Sequence, residues 1–179
     1  MPGKTAPRAR APRGGTDALK TYRRKRDFRK TPEPAGRIAR AGKRLRFVVQ
    51  KHRASTLHYD FRLEADGVLK SWAVPKGPPR TTADKRLAVP TEDHPMSYIR
   101  FQGVIPEGQY GAGTVEVWDT GAYENLTEKN GKPVAAGRAI RNGHIAFALD
   151  GERLRGNYAL TRVGKDGKRE RWLLVKMKR

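Results

Sequence analysis

No cysteine occurs in this chain of 179 residues. That absence excludes disulfides, thiolate metal ligands and a cysteine nucleophile, so a metal here must be held by nitrogen and oxygen donors. Long apolar runs are missing as well. No stretch approaches the roughly 18 consecutive apolar residues of a membrane span, and the N-terminus lacks the apolar core of a secretory signal. Acidic residues are scarce beside basic ones: 18 Asp and Glu stand against 39 Lys and Arg, a formal net charge of +21. The pI is near 10.9. Charge of that size repels itself and favours a polyanionic partner, nucleic acid first and a membrane surface second. The expectation is a cytoplasmic, nucleoid-associated protein that does not enter a membrane, with a monomer as the simplest state.

The apolar fraction, 36%, is low for a compact domain, and the sequence shows where it is low. Residues 1–16, "MPGKTAPRARAPRGGT", hold basic residues, prolines and glycines with almost nothing to bury, and predict a disordered basic tail. Residues 17–43 read as an arm: a short helix near 17–25, then "TPEPAG" as an extended or turning segment. From 44 to 179 the texture is β. Eight short runs ("RFVVQ", "LHYDFRL", "LKSWAV", "RLAVP", "GTVEVWD", "HIAFALD", "NYALTRV", "RWLLVKM") are separated by turn signals such as "EADG", "KNGK", "DGE" and "KDGK". This predicts a mainly β fold, a compact single-domain barrel of about eight strands, with a second short helix around 134–141.

The run "HRASTLHYDFR" gathers two of the four histidines with an aspartate and an arginine. In "LHYDFRL", Leu57, Tyr59, Phe61 and Leu63 share one face of a strand, and His58, Asp60, Arg62 and Glu64 share the other. Successive groups on a face stand about 7 Å apart. His52 precedes His58 by six residues, and "RASTL" lets the chain bend back between them. Two imidazoles and a carboxylate on one surface can hold a divalent ion with positions left open. Spacing does not rank Mn²⁺, Fe²⁺, Zn²⁺ and Ni²⁺. An ordinary one-sided strand also alternates this way, with Asp60 paired to Arg62 or to a neighbouring strand.

Other groups carry weaker signals. "TEDHPMSY" sets His94 and Tyr98 in a rigid loop or strand end that suits a phosphate, or simply a solvated turn. His144 opens an apolar strand and reads as structural. "IPEGQYGAGTVEVWD" is not a Walker loop, because no Gly-Lys-Ser/Thr follows and a strand comes next. Its glycines read as points of close backbone approach. "YRRKRDF" mixes cations with aromatics, as a phosphate-crossing arm would. Lys76 and Arg86 lie beside strands as phosphate contacts or surface charges.

Taken together, "FVVQKHRASTLHYDFRLEADGVLKSWAVPKG" and "EDHPMSYIRFQGVIPEGQYGAGTVEVWD" resemble the 3′-phosphoesterase module of bacterial ligase D, over about residues 22–176. The resemblance implies a β-barrel that heals 3′ ends at DNA breaks. It implies removal of a 3′-terminal ribonucleoside by phosphodiester cleavage, then removal of the 3′-phosphate to leave a 3′-OH. It implies a divalent metal, most often Mn²⁺ with Zn²⁺ or Co²⁺ as alternatives, on His52, His58 and Asp60. Phosphate-contacting roles fall on Arg62, His94 and Tyr98, and supporting roles on Arg26, Asp27, Glu33, Gln50, Lys76, Arg86 and Glu92. The implied partners are DNA 3′ ends, duplex or primer–template, with a separate DNA ligase, polymerase or end-binding protein.

On that reading the metal is a Lewis acid, Arg62 grips the phosphate with its planar fork, and His94 and Tyr98 add contacts. Activity falls as the ligand histidines protonate, and DNA affinity falls with salt. Two rivals remain. One is an Fe(II) oxygenase with His144 as third ligand and Arg153 or Arg155 binding an oxo-acid. The other is a DNA-binding barrel without chemistry.

Overall fold

A computed structural model describes residues 18–40 and 44–178; the expected basic tail at 1–16 lies outside them. The β strands are β1 (Leu45–Arg53), β2 (Leu57–Ala65), β3 (Val68–Val74), β4 (Lys85–Pro95), β5 (Gly103–Ile105), β6 (Gly113–Asn125), β7 (Glu128–Lys129), β8 (Lys132–Pro133), β9 (His144–Asp150), β10 (Arg155–Asp166) and β11 (Arg169–Lys176). Helices α1 (Lys20–Arg24) and α2 (Ala136–Arg141) fall inside the two predicted spans, and a 3₁₀ turn covers Met96–Arg100. Each of the eight predicted runs is a strand. The additions are β5 and the β7–β8 pair, too short to show an alternation in sequence.

Eight strands form a ring in the order β1-β2-β3-β4-β11-β10-β9-β6, and β6 closes it by pairing back onto β1. The pairings are antiparallel. This is the predicted barrel-like architecture. Strand β6 makes closure possible because it is long, 13 residues. One of its edges runs along β1, while the other is shared by β5 at its start and β9 at its end. Sequence chemistry sets the tight hairpin between β2 and β3: Asp66 and Gly67 both take positive φ, 55° and 78°, as a two-residue mirror-image turn requires.

Strand alternation sends Phe47, Val49, Phe61, Leu63, Trp72 and Val74 into the ring, where they meet Ile145, Phe147, Leu160 and Leu174. Each large side chain taken out of water contributes roughly 1.5–3 kcal/mol. The outer face of β1, β2 and β3 is covered too. Val48, Leu69 and Val115 pack there against Tyr22 from the arm and Met96, Tyr98, Ile99 and Phe101 from the 3₁₀ turn. The arm is tied down by Ala39 N–H to the Gly67 carbonyl at 3.0 Å, by Arg23 to the Gly36 carbonyl at 2.9 Å, and by the Tyr22 hydroxyl to the Pro34 carbonyl. Strand β2 therefore buries both faces, one apolar and one charged, rather than leaving the polar face to water. Among the described residues, no helix is long and apolar enough to cross a membrane.

Where β6 leaves its glycine-rich loop it runs against the end of β1. A Cβ added to Gly113 would stand 2.1 Å from the Arg53 carbonyl oxygen, and the residue's φ of 137° disfavours any side chain. Gly113→Ala is expected to lower stability by about 2 kcal/mol, measured as a reduced urea midpoint with an unchanged slope.

Candidate metal centre

The hairpin between β1 and β2 places His52 directly opposite His58, and Gln50 opposite Asp60. The two imidazole centroids lie 4.6 Å apart. His52 Nδ1 is 3.4 Å and His58 Nε2 3.3 Å from the same oxygen, Asp60 Oδ2. Donor atoms of the three residues all fall within 4.8 Å of one another. The far nitrogens are anchored: His52 Nε2 lies 2.7 Å from the Gly111 carbonyl and His58 Nδ1 3.3 Å from the Thr56 carbonyl. A carbonyl only accepts, so both far nitrogens carry the proton. With the rings deprotonated at the near nitrogens, two imidazole lone pairs and the Asp60 carboxylate converge as three acceptors with no donor among them. That is the arrangement a cation resolves, with backbone carbonyls fixing ring tautomer and orientation. His52, His58 and Asp60 could hold a divalent metal ion.

Burial pushes the Asp60 carboxyl up, but the Arg62 charge and the two imidazoles outweigh it and hold Asp60 well below the usual carboxylate range. The Asp60 carboxylate, which accepts a hydrogen bond from the protonated ring, raises His58, so a proton would compete with a metal for this position.

Arg62 follows Asp60 on the same face. Its Nε donates to Gln50 Oε1 at 2.7 Å, its Nη2 is 3.5 Å from Asp60 Oδ2, and its guanidinium lies 5.0 Å from the centre of the Tyr98 ring. Gln50 is fixed in turn: its amide donates to the Tyr98 and Phe101 carbonyls at 2.9 and 3.1 Å. Behind Arg62 sits His94, wholly buried. Its Nδ1 is 2.8 Å from the Glu92 carbonyl, which leaves Nε2 as the acceptor facing Arg26 Nη2 at 3.4 Å. Burial, then the charges of Arg62 and Arg26, push His94 well below the usual imidazole range. It is a neutral wedge between two guanidiniums.

The arm completes the network. Arg26 donates to Glu33 Oε2 at 2.9 Å and to Glu92 Oε1 at 3.1 Å. Tyr98 donates its hydroxyl to Glu33 Oε2 at 2.7 Å, and Thr31 donates to Glu33 Oε1 at 2.9 Å. Burial pushes the Tyr98 phenol up, so it remains a donor. Two buried guanidiniums, Arg26 and Arg62, thus face three carboxylates, Glu33, Glu92 and Asp60. Lys25 adds a third cation on Glu92, at 3.3 Å, so the Asp60 charge is shared only with Arg62 and the two imidazoles.

The structure does not gather every residue singled out in the sequence. Asp27 turns back on Arg29, at 3.2 and 3.4 Å, outside the network. Lys76 is exposed in the loop after β3. Arg86 shares its side of β4 with core residue Ala88, pairs in register with Leu174 and contacts Asp84 at 3.5 Å. It therefore points to the inner side of the ring. His144 is bonded to Thr161 at 2.8 Å and joins no metal cluster found among the described residues, which removes the third ligand of the oxygenase reading. The structure adds contributors that sequence reading missed: the carbonyls of Gly111 and Thr56, the Thr31 hydroxyl and Tyr22. Backbone acceptors have no residue signature; the only hint was the glycine pair around Tyr110.

These features define a class: a closed antiparallel β-ring with a nitrogen–oxygen donor set that could hold a metal, beside a buried guanidinium. The DNA Ligase D 3′-phosphoesterase domain matches residues 50–162. The chain is 55% identical over 162 residues to the multifunctional non-homologous end joining protein LigD of Pseudomonas aeruginosa, covering 89% of this chain and 18% of that protein. It is 49% identical to LigD of Mycolicibacterium smegmatis, over 90% of this chain and 21% of that protein. For the multifunctional non-homologous end joining DNA repair protein LigD of Mycobacterium tuberculosis the identity is 48%, over 90% and 20%. The chain belongs to the ligase D 3′-phosphoesterase domain family, and it spans about a fifth of the length of these relatives.

Titration with Mn²⁺ by calorimetry is expected to show one ion per chain, weakened at least about 100-fold by Asp60→Asn. Replacing Glu33→Ala takes one of the two carboxylates from buried Arg26 and the acceptor from the Tyr98 hydroxyl, a loss on the order of 3 kcal/mol. Trypsin is then expected to cut the arm at Arg23–Arg26 faster, while the far-ultraviolet dichroism of the ring is unchanged.

Proposed function

We propose that this protein is a metal-dependent 3′-phosphoesterase that heals DNA ends for non-homologous end joining. The observation that carries the reading is the convergence of His52, His58 and Asp60 beside Arg62, in a chain of this family. In the first reaction, water adds to the phosphodiester and the bond to the 5′ oxygen of a terminal ribonucleoside breaks, leaving a 3′-phosphate. In the second, water takes that phosphate and the bond to the DNA 3′ oxygen breaks, leaving a 3′-OH.

His52, His58 and Asp60 hold the ion, Mn²⁺ by preference with Zn²⁺ or Co²⁺ as substitutes. When bound, the ion supplies Lewis-acid charge at a non-bridging phosphate oxygen. Arg62 offers its planar fork to the same phosphate. Gln50 and Tyr98 hold that fork in plane, and His94, kept neutral, holds its spacing from Arg26. Glu33 and Glu92 balance the arm's charge from behind. Preorganised charge of this kind acts without reorganising during the reaction.

The remaining positive charge holds the DNA backbone. The named relatives are multifunctional proteins, so joining the healed end falls to ligase and polymerase modules or to separate proteins, with an end-binding protein as a further partner.

The test is a 5′-labelled primer–template with Mn²⁺, its primer ending in one ribonucleotide or in a 3′-phosphate. Wild type is expected to yield a 3′-OH end from both, and His58→Ala to slow both steps by at least about 100-fold. DNA binding with no product from either substrate would instead establish a binding protein without chemistry.

A further inference from the structure

An open groove of about 760 Å³ begins at His58, the more exposed of the two ligand histidines. Leu57, Pro75, Val89 and Pro90 give it an apolar lining, and Tyr110 lines it as well. Leu57 is 40% and Tyr110 47% exposed, so apolar and aromatic surface is left uncovered immediately beside the metal donors. Uncovered apolar surface at a site usually marks where a ligand packs. Lys25 and Arg169 add positive charge. The carboxylates that also line the groove are already paired, Glu92 with Arg26 and Lys25 and Asp93 with Lys70 at 2.9 Å.

We propose that this groove seats the 3′-terminal nucleoside of the DNA strand, with its base stacked on Tyr110. The inference rests on the phosphoesterase reading for the identity of the strand. Continuity with His58 places whatever occupies the groove next to the reacting phosphate. The occupant we assign is a single nucleoside, because one exposed aromatic ring, Tyr110, lines the groove beside His58 and offers a stacking face to one base. An aromatic face suits any base, since every base has a stacking surface. Tyr110 is held for this role: Lys25 Nζ lies 4.6 Å and the Arg26 guanidinium 5.3 Å from its ring centre. The next residue, Gly111, supplies the carbonyl that orients His52. Tyr110 is thus a positioning residue that fixes the nucleoside relative to the ligand histidines.

The test uses a primer–template whose 3′-terminal residue is a 2-aminopurine ribonucleotide, titrated with the full chain without metal. Wild type is expected to quench the fluorophore by stacking. Tyr110→Ala is expected to abolish the quench and weaken binding about 5- to 150-fold, while Tyr110→Phe retains both. Preference for this primer over one ending in 3′-phosphate should shrink by the same factor. Equal quenching by wild type and Tyr110→Ala, no quenching by wild type, or equal weakening on both primers would overturn the assignment. Turnover with Mn²⁺ is read separately. A wild type that stacks the base but converts neither substrate would sink the phosphoesterase reading and leave the groove assignment standing.

Discussion

The ion pair between Arg26 and Glu33 joins the arm to the ring and closes the outer face of β1 and β2. Both partners are almost wholly buried, and removing Arg26 would leave the Glu33 charge without an opposite partner, which is far more destabilising than the pair itself is stabilising. Each is therefore tied at several points: Glu33 also accepts from Thr31 and Tyr98, and Arg26 also reaches Glu92 and lies 4.0 Å over the Tyr22 ring. With this cover in place, water is kept from Arg62 and His94, and charges a few ångströms apart interact far more strongly than on an open surface. Without it the same residues would be a solvated stripe on one strand.

Burial then assigns protonation states. The carboxylates and guanidiniums each have a partner of opposite charge, whereas burial and the two cations beside it hold His94 well below the usual imidazole range. A protonated His94 would repel Arg62 and Arg26. Asp60 stays ionised for the opposite reason, since Arg62 and two imidazoles surround it. His52, His58 and Asp60 are thus a donor set that could hold a divalent cation, and adding one would turn the local balance positive.

The hairpin carrying the metal donors was legible because a period of two is a strong signal and because His52, His58, Asp60 and Arg62 are close in sequence. The eight strand runs were legible for the same reason, each being bounded by turn residues. The closing of the ring by β6 onto β1 was not, since pairing between strands distant in sequence leaves no local mark. Nor was the burial of β2 on both faces visible: alternation predicts one wet face, and only the arm's packing through Tyr22 removes the water. Residue type alone likewise does not separate Glu33, which docks into the network, from Asp27, which folds back onto Arg29. Lys76 and Arg86 show the same limit. A cation beside a strand can face any of three ways, and Arg86 points to the inner side of the ring.

The loop from β5 to β6 links the site's two halves. Its glycines let the backbone turn inward so that the Gly111 carbonyl meets His52, and a Cβ at that position would lie 3.6 Å from the His52 ring. One residue earlier, Tyr110 leans on Lys25 and Arg26 of the arm. A shift of this loop must therefore move the His52 ring, Tyr110 and the arm together. In strand β1, by contrast, hydrogen bonds to neighbours on both sides fix the backbone of His52. The ring of strands sets where the donors stand, and this single loop sets how one of them turns and what can lie beside it.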